Sequence, residues 1–363
     1  MNVNLSPAPI SISTKTQIRS LRFEVPLLAC IALLILATFW TQQRYPALLK
    51  KLHSGSTLTA KGPLTFDAVL PVVPQMPLQQ RVPRTAINWL WTNRFGMYFA
   101  LPFGAALMTL FSHTTRPRRF QSTSANLICG TLAGMPAGVC TNCATPIAQA
   151  LLVGGASTRL TVAAMISSPS FNPVVVALAF VLFPLPLAAL RILAPALLIA
   201  LLPLLLPESR PASFGIQLPE PTRPATVRLF LLIRDFFRNL LRLTLLTLPW
   251  MLLAALLGAI AVELIPAYGT HLSVSLLGIV AVAILGTLLP VPMAFDVALA
   301  WILFRSGVPA PYIATLLCTL GLVSVYSLFA LGQQLGRAVP IRLATVTAAL
   351  GIAAGLLIRF THA

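Results

Sequence analysis

Two cysteines spaced three residues apart form the most reactive pattern in this sequence. Cys140 and Cys143 lie in the polar stretch GVCTNCATPI, inside the apolar run of residues 126–153. On a helix or a tight turn, residues three apart point the same way, so both sulfurs can face one ligand. Thiolates prefer soft, thiophilic ions and compounds. We expect Cys140, Asn142 and Cys143 to contact substrate, with the two cysteines as soft-metal ligands; two small packed residues are the alternative.

The same motif predicts how the cysteines are positioned. Pro146 follows them closely, and proline is frequent at the start of a helix. We therefore expect a helix break at Pro146, with a half-helix running onward from it. The unsatisfied N–H groups of a helix N-terminus favour a negative charge, which suits a pair of thiolates.

A second polar cluster lies in the next apolar run. Residues 167–173 read SSPSFNP, with helix breaks expected at Pro169 and Pro173. Proline removes a backbone donor and frees a carbonyl, so we expect a broken helix that lines a polar cavity. The substrate-binding candidates here are Ser167, Ser168 and Asn172. A kinked helix with its serines bonded to its own backbone is the alternative.

An acidic residue interrupts the long apolar run of residues 274–305. Asp296 follows Pro290 and Pro292, both expected to break the helix. A carboxylate inside a membrane segment is expensive and is a functional candidate by default. We take Asp296 as a candidate for proton coupling. An ion pair with Arg191, which also lies in an apolar run, is the structural alternative.

The composition indicates a membrane protein. Hydrophobic residues make up 57% of the 363 residues and charged residues only 9%, whereas soluble domains have about 25% charged residues. The net charge of +18 comes from Lys and Arg between the apolar runs, where they would contact membrane lipids. This distribution argues against nucleic acid as a partner. The scattered cysteines form no disulfide framework.

Apolar runs and polar segments divide the chain. We expect a first span with a polar loop (1–94), a first transmembrane repeat containing the Cys-x-x-Cys hairpin (95–206), a linker with an amphipathic helix (207–240) and a second transmembrane repeat (241–363). Basic residues precede the first run, which predicts a cytoplasmic N-terminus and an uncleaved span.

Two of the runs differ from ordinary spans. Residues 126–153 and 274–305 are each broken in the middle, which leaves halves of about 14 residues where about 20 are needed to cross. Each is therefore predicted to be a re-entrant helical hairpin. A shift of 152 residues lays Gly155 on Gly307, and the positions of the basic loops then favour inverted repeats. The predicted fold is an all-α, polytopic transmembrane bundle with two inverted repeats.

These residues also carry a resemblance to a known family. The patterns C-x-x-C-x-x-P-I-A-x-x-L-x-x-x-G and S-S-P-x-x-N-P resemble the YraQ/ArsP-like predicted permeases, which include organoarsenical efflux permeases. The resemblance implies an integral inner-membrane permease, with efflux of trivalent organoarsenicals in some members and the motif's cysteines meeting the substrate. The matching positions are Cys140, Cys143, Pro146, Ile147, Ala148, Leu151, Gly155, Ser167, Ser168, Pro169, Asn172 and Pro173.

Taken together, these features predict a multi-pass permease of the inner membrane, not an enzyme, that exports a thiophilic small solute by secondary transport. No cofactor is expected, and no Walker A sequence is present. A homo-oligomer is left open. The main alternative is a membrane thiol–disulfide oxidoreductase that uses Cys140 and Cys143; a membrane scaffold without transport is the third reading.

Overall fold

The computed structural model describes residues 24–46, 49, 69–73, 75–113, 122–206, 225–268, 273–291 and 293–361. This part of the chain forms thirteen helices and no strand. In chain order the helices α1 to α13 are Glu24–Phe39, Leu78–His113, Thr123–Gly134, Thr141–Val153, Thr158–Ser170, Pro173–Leu182, Leu185–Leu205, Ala225–Tyr268, Leu276–Leu288, Phe295–Arg305, Ala310–Thr319, Val325–Leu335 and Ala338–Thr361. The predicted all-α fold is confirmed.

Several helices are long and apolar enough to cross a membrane. Four segments in the described residues qualify, or five if the α5–α6 pair, bent by 45°, forms one broken span. The four are Pro26–Arg44, Leu185–Leu205, Leu229–Ile260 and Ala338–Thr361. Many apolar side chains remain on the outer surface of these helices, as expected for contact with lipid.

The first predicted hairpin is confirmed as a chain path. α3 and α4 have 12 and 13 residues, about 18–20 Å at about 1.5 Å per residue, and are joined by a short 3-10 turn over 135–137. Ser157, just after α4, donates a hydrogen bond of 2.9 Å to Asn126 at the start of α3. The tip residue Val139 instead contacts Ser168 near the end of α5. The chain therefore goes out along α3 and returns along α4.

The second hairpin follows the same path. α9 and α10 are separated by a non-helical break, residues 289–294. The hydroxyl of Tyr312, in the first turn of α11, donates to Ser273 O at 2.8 Å and accepts from Ser275 N at 3.1 Å, next to the start of α9. Gly286, near the end of α9, packs against Thr319 at the end of α11. α10 thus returns the chain to the side on which α9 began.

The two hairpins repeat in detail. After each returning helix the chain turns through a glycine in the left-handed region, Gly155 with φ 86° and Gly307 with φ 87°. In both turns the backbone N–H of the residue after the glycine donates to the carbonyl of the residue four positions before that glycine, at 3.0 and 3.1 Å. The breaks after α5 and α11 also correspond. These correspondences agree with the sequence shift of 152 residues and favour the predicted repeat. We call residues 122–206 the first unit and residues 273–361 the second unit.

Contacts between the units bear on their relative orientation. α6 and α10 start together, where Asn172 contacts Met293, and end together, where Phe183 packs on Trp301 and Phe304. α6 leads away from the side on which α3 begins, whereas α10 returns to the side on which α9 begins. The two units would then begin on opposite sides, as inverted repeats require. The inverted relation stays a prediction, which this contact favours.

Two elements extend beyond the predicted boundaries. α2 begins at Leu78, so the last part of the segment expected to be a polar loop is helical and continuous with the following span. The expected amphipathic helix and the next span form one helix, α8, on which Arg234, Arg238 and Arg242 are exposed. The preceding linker, residues 207–224, lies outside the described residues.

Candidate functional site

The paired cysteines lie at the tip of the first hairpin, where α4 begins. Cys140 is the N-cap of the helix, with extended backbone (φ −64°, ψ 162°), and its sulfur accepts a hydrogen bond of 3.2 Å from Cys143 N. The two sulfurs are 2.8 Å apart and both residues are buried. The spacing correctly predicted that both thiols face one point. Both thiols are free.

The break expected at Pro146 is wrong. The helix begins at Thr141, and Pro146 lies inside it. The Cys140 cap provides the helix start that we had assigned to the proline. Pro146 instead has no N–H to offer to the carbonyl of Asn142, one turn earlier. The cost of the internal proline is thus a carbonyl without its helical hydrogen bond, next to the thiols.

Helix α2 packs its Asn93–Met97 turn against the thiols. A Cβ added at Gly96 would lie 3.0 Å from Cys143 Sγ, so this close approach depends on glycine. Met97 Sδ is 3.7 Å from Cys143 Sγ, and Asn93 Oδ1 is 3.9 Å from Cys140 Sγ. The sequence interpretation missed all three residues. The only local signal is their spacing, which places them on one helical face of an apolar segment.

The end of the first span brings a positive charge to the same place. Residues Trp40–Arg44 form a π-helical turn after α1, and Trp40 Nε1 donates to Pro136 O in the hairpin turn. The Arg44 guanidinium lies 4.4 Å from the centre of the Phe39 ring and acts electrostatically on both cysteines. Its Nε is buried and has no partner among the described residues.

The second unit closes the other side of the hairpin tip. Thr141 donates from its hydroxyl to Gly321 O, and Asn142 Oδ1 accepts a hydrogen bond of 2.7 Å from Ser324 Oγ. Asn142 is fully buried, yet its Nδ2 has no partner among the described residues. An unused buried donor is costly, and here it lies between the two thiols in the motif, two residues after Cys140 and one before Cys143. It can serve an acceptor atom on a ligand.

The three remaining substrate-binding candidates take different positions. Ser168 Oγ accepts from Val139 N at 3.2 Å and so fixes the hairpin tip. Ser167 instead donates to Thr131 O at 3.0 Å, which directs its hydroxyl towards α3. Asn172 caps α6 through Val174 N, and its amide nitrogen is 3.0 Å from Met293 Sδ. Asn172, like Asn142, therefore contacts the second unit, whereas Ser168 contacts the hairpin tip and Ser167 contacts α3.

Asp296 forms a buried ion pair with Arg191. The Nη2–Oδ2 distance is 2.5 Å, and the two side chains are 0% and 5% exposed. The pair joins α7 of the first unit to α10 of the second. Arg191 Nε and Nη1 have no partner in the described part of the chain. A Cβ added at Gly321 would lie 3.1 Å from Asp296 Oδ2, so the pair adjoins the segment that Thr141 contacts.

Pro173 and Pro290 lie at helix breaks as expected, whereas the break expected at Pro169 comes two residues later, at residues 171–172. Pro169 is in the last turn of α5, and Pro173 starts α6 after the Asn172 cap. Pro290 is in the break between α9 and α10. Pro292 lies outside the described residues. These breaks leave irregular backbone at the junction, as structures do where they line a cavity.

An apolar cavity lies beside the first hairpin and is lined in part by Ala144, the residue that follows Cys143. Its volume is ≈ 200 Å³, larger than the roughly 150 Å³ cavity that admits benzene in an engineered protein. Ile147 and Ser168 also line it. The other lining residues are Leu36, Phe103, Leu107, Ala133, Gly134, Ala137, Ala148, Leu151, Thr161, Ala164 and Met165. An organic substituent of modest size fits this space.

Comparison with known proteins supports the resemblance. The chain is 27% identical over 248 residues to UPF0718 protein YraQ of Escherichia coli (strain K12), a match that spans 66% of this chain and 68% of that protein. No family model matches the chain, and no solved structure matches it. The similarity to YraQ and the apolar helical bundle together support a permease-like, multi-pass membrane protein.

Proposed function

We propose that this YraQ-like membrane protein is a secondary permease of the inner membrane that exports a thiophilic small solute, such as an organoarsenical or a similar soft metalloid or metal compound. Cys140 and Cys143 bind the thiophilic centre. Asn142, Ser168 and Asn172 line the path at the junction of the two units. The observation that carries the proposal is the pair of free sulfurs 2.8 Å apart at a helix start.

The surrounding architecture supports transport. Two hairpins too short to cross, followed by bent or interrupted helices, bring irregular backbone together inside the protein. Such backbone is tolerated at membrane depth where it is buried or lines a cavity. Broken helices that meet between two repeats are the common plan of substrate sites in secondary transporters. A scaffold without transport would have no use for polar breaks of this kind.

Binding at the junction also suggests how transport is driven. Asp296 is buried with Arg191 and adjoins the Gly321 segment that contacts the hairpin tip. Protonation of the carboxylate would release Arg191 and weaken the link between the units. A gradient-driven exchange of protons for solute would use this step. Asp296→Asn abolishes proton-driven export in this scheme, while solute binding to the thiols persists.

The experiment that tests the proposal uses cells that lack their own arsenic efflux. Accumulation and resistance are measured for trivalent methyl- and phenylarsenicals, arsenite and antimonite, with the unaltered protein and with Cys140→Ser/Cys143→Ser. We expect lower accumulation with the unaltered protein, lost in the double variant. Cys129→Ser, a half-buried cysteine outside the motif, is the matched control. Equal accumulation with all three proteins, for every compound, contradicts the proposal.

The same sulfur separation gives the oxidoreductase alternative a specific test. Closing a disulfide needs a contraction from 2.8 Å to about 2.0 Å, a small movement. If the pair relays electrons, a quinone accepts two electrons and two protons from the two thiols and becomes a quinol, a soluble dithiol then reduces the resulting disulfide by exchange, and export is absent. If the pair binds a solute, oxidation blocks export and no exchange is catalysed.

A further inference from the structure

A third sulfur lies beside the paired thiols. Met97 Sδ is 3.7 Å from Cys143 Sγ, which is 2.8 Å from Cys140 Sγ. Two sulfurs bound to one ion at about 2.3 Å can be at most about 4.6 Å apart. Both separations, each measured from Cys143 Sγ, fall inside that limit, so one ion contacts all three atoms once side-chain movement also brings Met97 Sδ and Cys140 Sγ within it. Met97 is on α2 and the thiols are on the hairpin, so the site joins two elements.

The choice of donors restricts the ion. Thiolate and thioether sulfur are soft ligands that select soft ions. The described residues contain no group of three His, Cys, Asp or Glu side chains that could hold a metal ion, so the ligands that divalent zinc or a hard cation prefers are missing here. A thioether adds nothing for a trivalent arsenical, whose centre is satisfied by the two thiolates and its organic group.

Charge restricts the ion further. Ligating cysteines lose their protons, so two thiolates bring two negative charges into a buried site. Arg44 ends the π-helical turn that Trp40 joins to the hairpin turn, its Nε is buried without a partner among the described residues, and it supplies one positive charge. A monovalent ion makes the complete assembly neutral, whereas a divalent ion or a doubly thiolated arsenical leaves a net positive charge. Uncompensated charge in a low-dielectric site is strongly disfavoured.

We propose that Cys140, Cys143 and Met97 form a three-sulfur site for a monovalent soft cation of the Cu⁺ or Ag⁺ type, with Arg44 as the counter-charge. This inference rests on the proposed function of the thiol pair and narrows its substrate class. Binding releases the two thiol protons and involves no redox change. The buried Nδ2 of Asn142, which has no partner in the described part of the chain, is available to an acceptor atom in the outer coordination sphere.

The test measures Ag⁺ binding to the full chain purified in detergent, because Ag⁺ does not change oxidation state. Competition with a soluble Ag⁺ chelator gives the affinity. Met97→Leu keeps the apolar volume and removes the sulfur, and we expect it to weaken Ag⁺ binding by about tenfold or more. Met108→Leu, a buried methionine further along the same helix, is the matched control and leaves the affinity unchanged.

Arg44 is tested by the same titration. Arg44→Gln removes the charge and weakens Ag⁺ binding by about tenfold, within the range for groups beyond the direct ligands, whereas Arg44→Lys retains most of the affinity. X-ray absorption at the silver edge counts the sulfurs directly. Three sulfur neighbours in the unaltered protein and two in Met97→Leu are expected. Two neighbours in both proteins, or equal Ag⁺ affinity in both, overturns the proposal.

Phenylarsine oxide separates failure of this inference from failure of the proposed function. The reagent needs only two neighbouring thiols, so it binds the unaltered protein and Met97→Leu alike and fails with Cys140→Ser/Cys143→Ser. Arg44→Gln removes the net positive charge of the arsenical assembly and so does not weaken its binding. If arsenical binding and export persist while the Ag⁺ affinity is the same in Met97→Leu as in the unaltered protein, the three-sulfur site is wrong and the proposal of a thiol-dependent permease is retained. If neither ligand depends on the cysteines, both proposals are wrong.

Discussion

The ion pair between Arg191 and Asp296 allows a quantitative prediction about how the two units are held together. Both side chains are almost fully buried, at 0% and 5% exposure, so removal of either partner leaves an uncompensated charge or polar group inside the protein. Breaking a buried pair in this way costs about 3–5 kcal/mol. We expect Asp296→Asn and Arg191→Met each to lower the free energy of unfolding by an amount in this range.

The double variant distinguishes a charge effect from lost packing. Arg191 Nε and Nη1 already lack partners among the described residues. Part of the free-energy cost of removing the guanidinium from water is therefore not offset by hydrogen bonds. Replacing a buried pair by apolar groups is often neutral or stabilising. Arg191→Met/Asp296→Asn should therefore be more stable than either single variant, although the buried amide keeps a cost of about 1–3 kcal/mol.

The assay is reversible unfolding of the purified protein in mixed detergent micelles, with titration of a denaturing detergent, for the unaltered protein, both single variants and the double variant. The four free energies form a double-mutant cycle that isolates the interaction. A loss of less than about 1 kcal/mol in Asp296→Asn, as for an exposed pair, would refute the reasoning. Additive losses in the double variant would do the same.

Three further predictions concern the repeat and the thiol site. Gly155 and Gly307 have open space around them and positive φ, so alanine at either should cost about 1–2 kcal/mol through the backbone alone; detergent unfolding should show similar losses at both, with asparagine costing less, and unequal losses would argue against equivalent turns. Gly96→Val should displace the Cys143 sulfur, which lies 3.0 Å from the added Cβ, and slow the reaction of the thiol pair with phenylarsine oxide, whereas unchanged labelling kinetics would contradict the described packing. Mild oxidation should join Cys140 to Cys143 within one chain, measured as loss of two titratable thiols without dimer formation, and a dominant intermolecular disulfide would speak against the 2.8 Å separation.

The sequence predicted the hairpins because their causes are local. Each run is too long for one crossing and is interrupted near its middle, so each half is too short to cross the membrane alone. The alignment of Gly155 with Gly307 was informative because each glycine meets the same local need, a left-handed turn after a returning helix. The spacing of Cys140 and Cys143 likewise fixed their shared direction within one helical turn.

Other features depend on contacts between distant segments and could not be predicted. Arg44 and Met97 reach the thiols only because α1 and α2 pack against the hairpin, and Ser324 comes from the other unit. Hydropathy marks these segments as apolar or polar but does not give their neighbours. The break predicted at Pro146 was wrong for a local reason. Proline is frequent at helix starts, so the helix was expected to begin there, whereas Cys140 caps it and it begins at Thr141.

The most direct test of the central claim is solute flux through the purified protein in sealed vesicles. Vesicles with an imposed proton gradient receive a trivalent phenylarsenical or Ag⁺ on the side corresponding to the cytoplasm, and accumulation on the opposite side is followed over time. The account predicts gradient-dependent flux that is lost with Cys140→Ser/Cys143→Ser and retained with Cys129→Ser. Flux of either solute that is indifferent to the cysteine pair, or no flux of both in any protein, would contradict it.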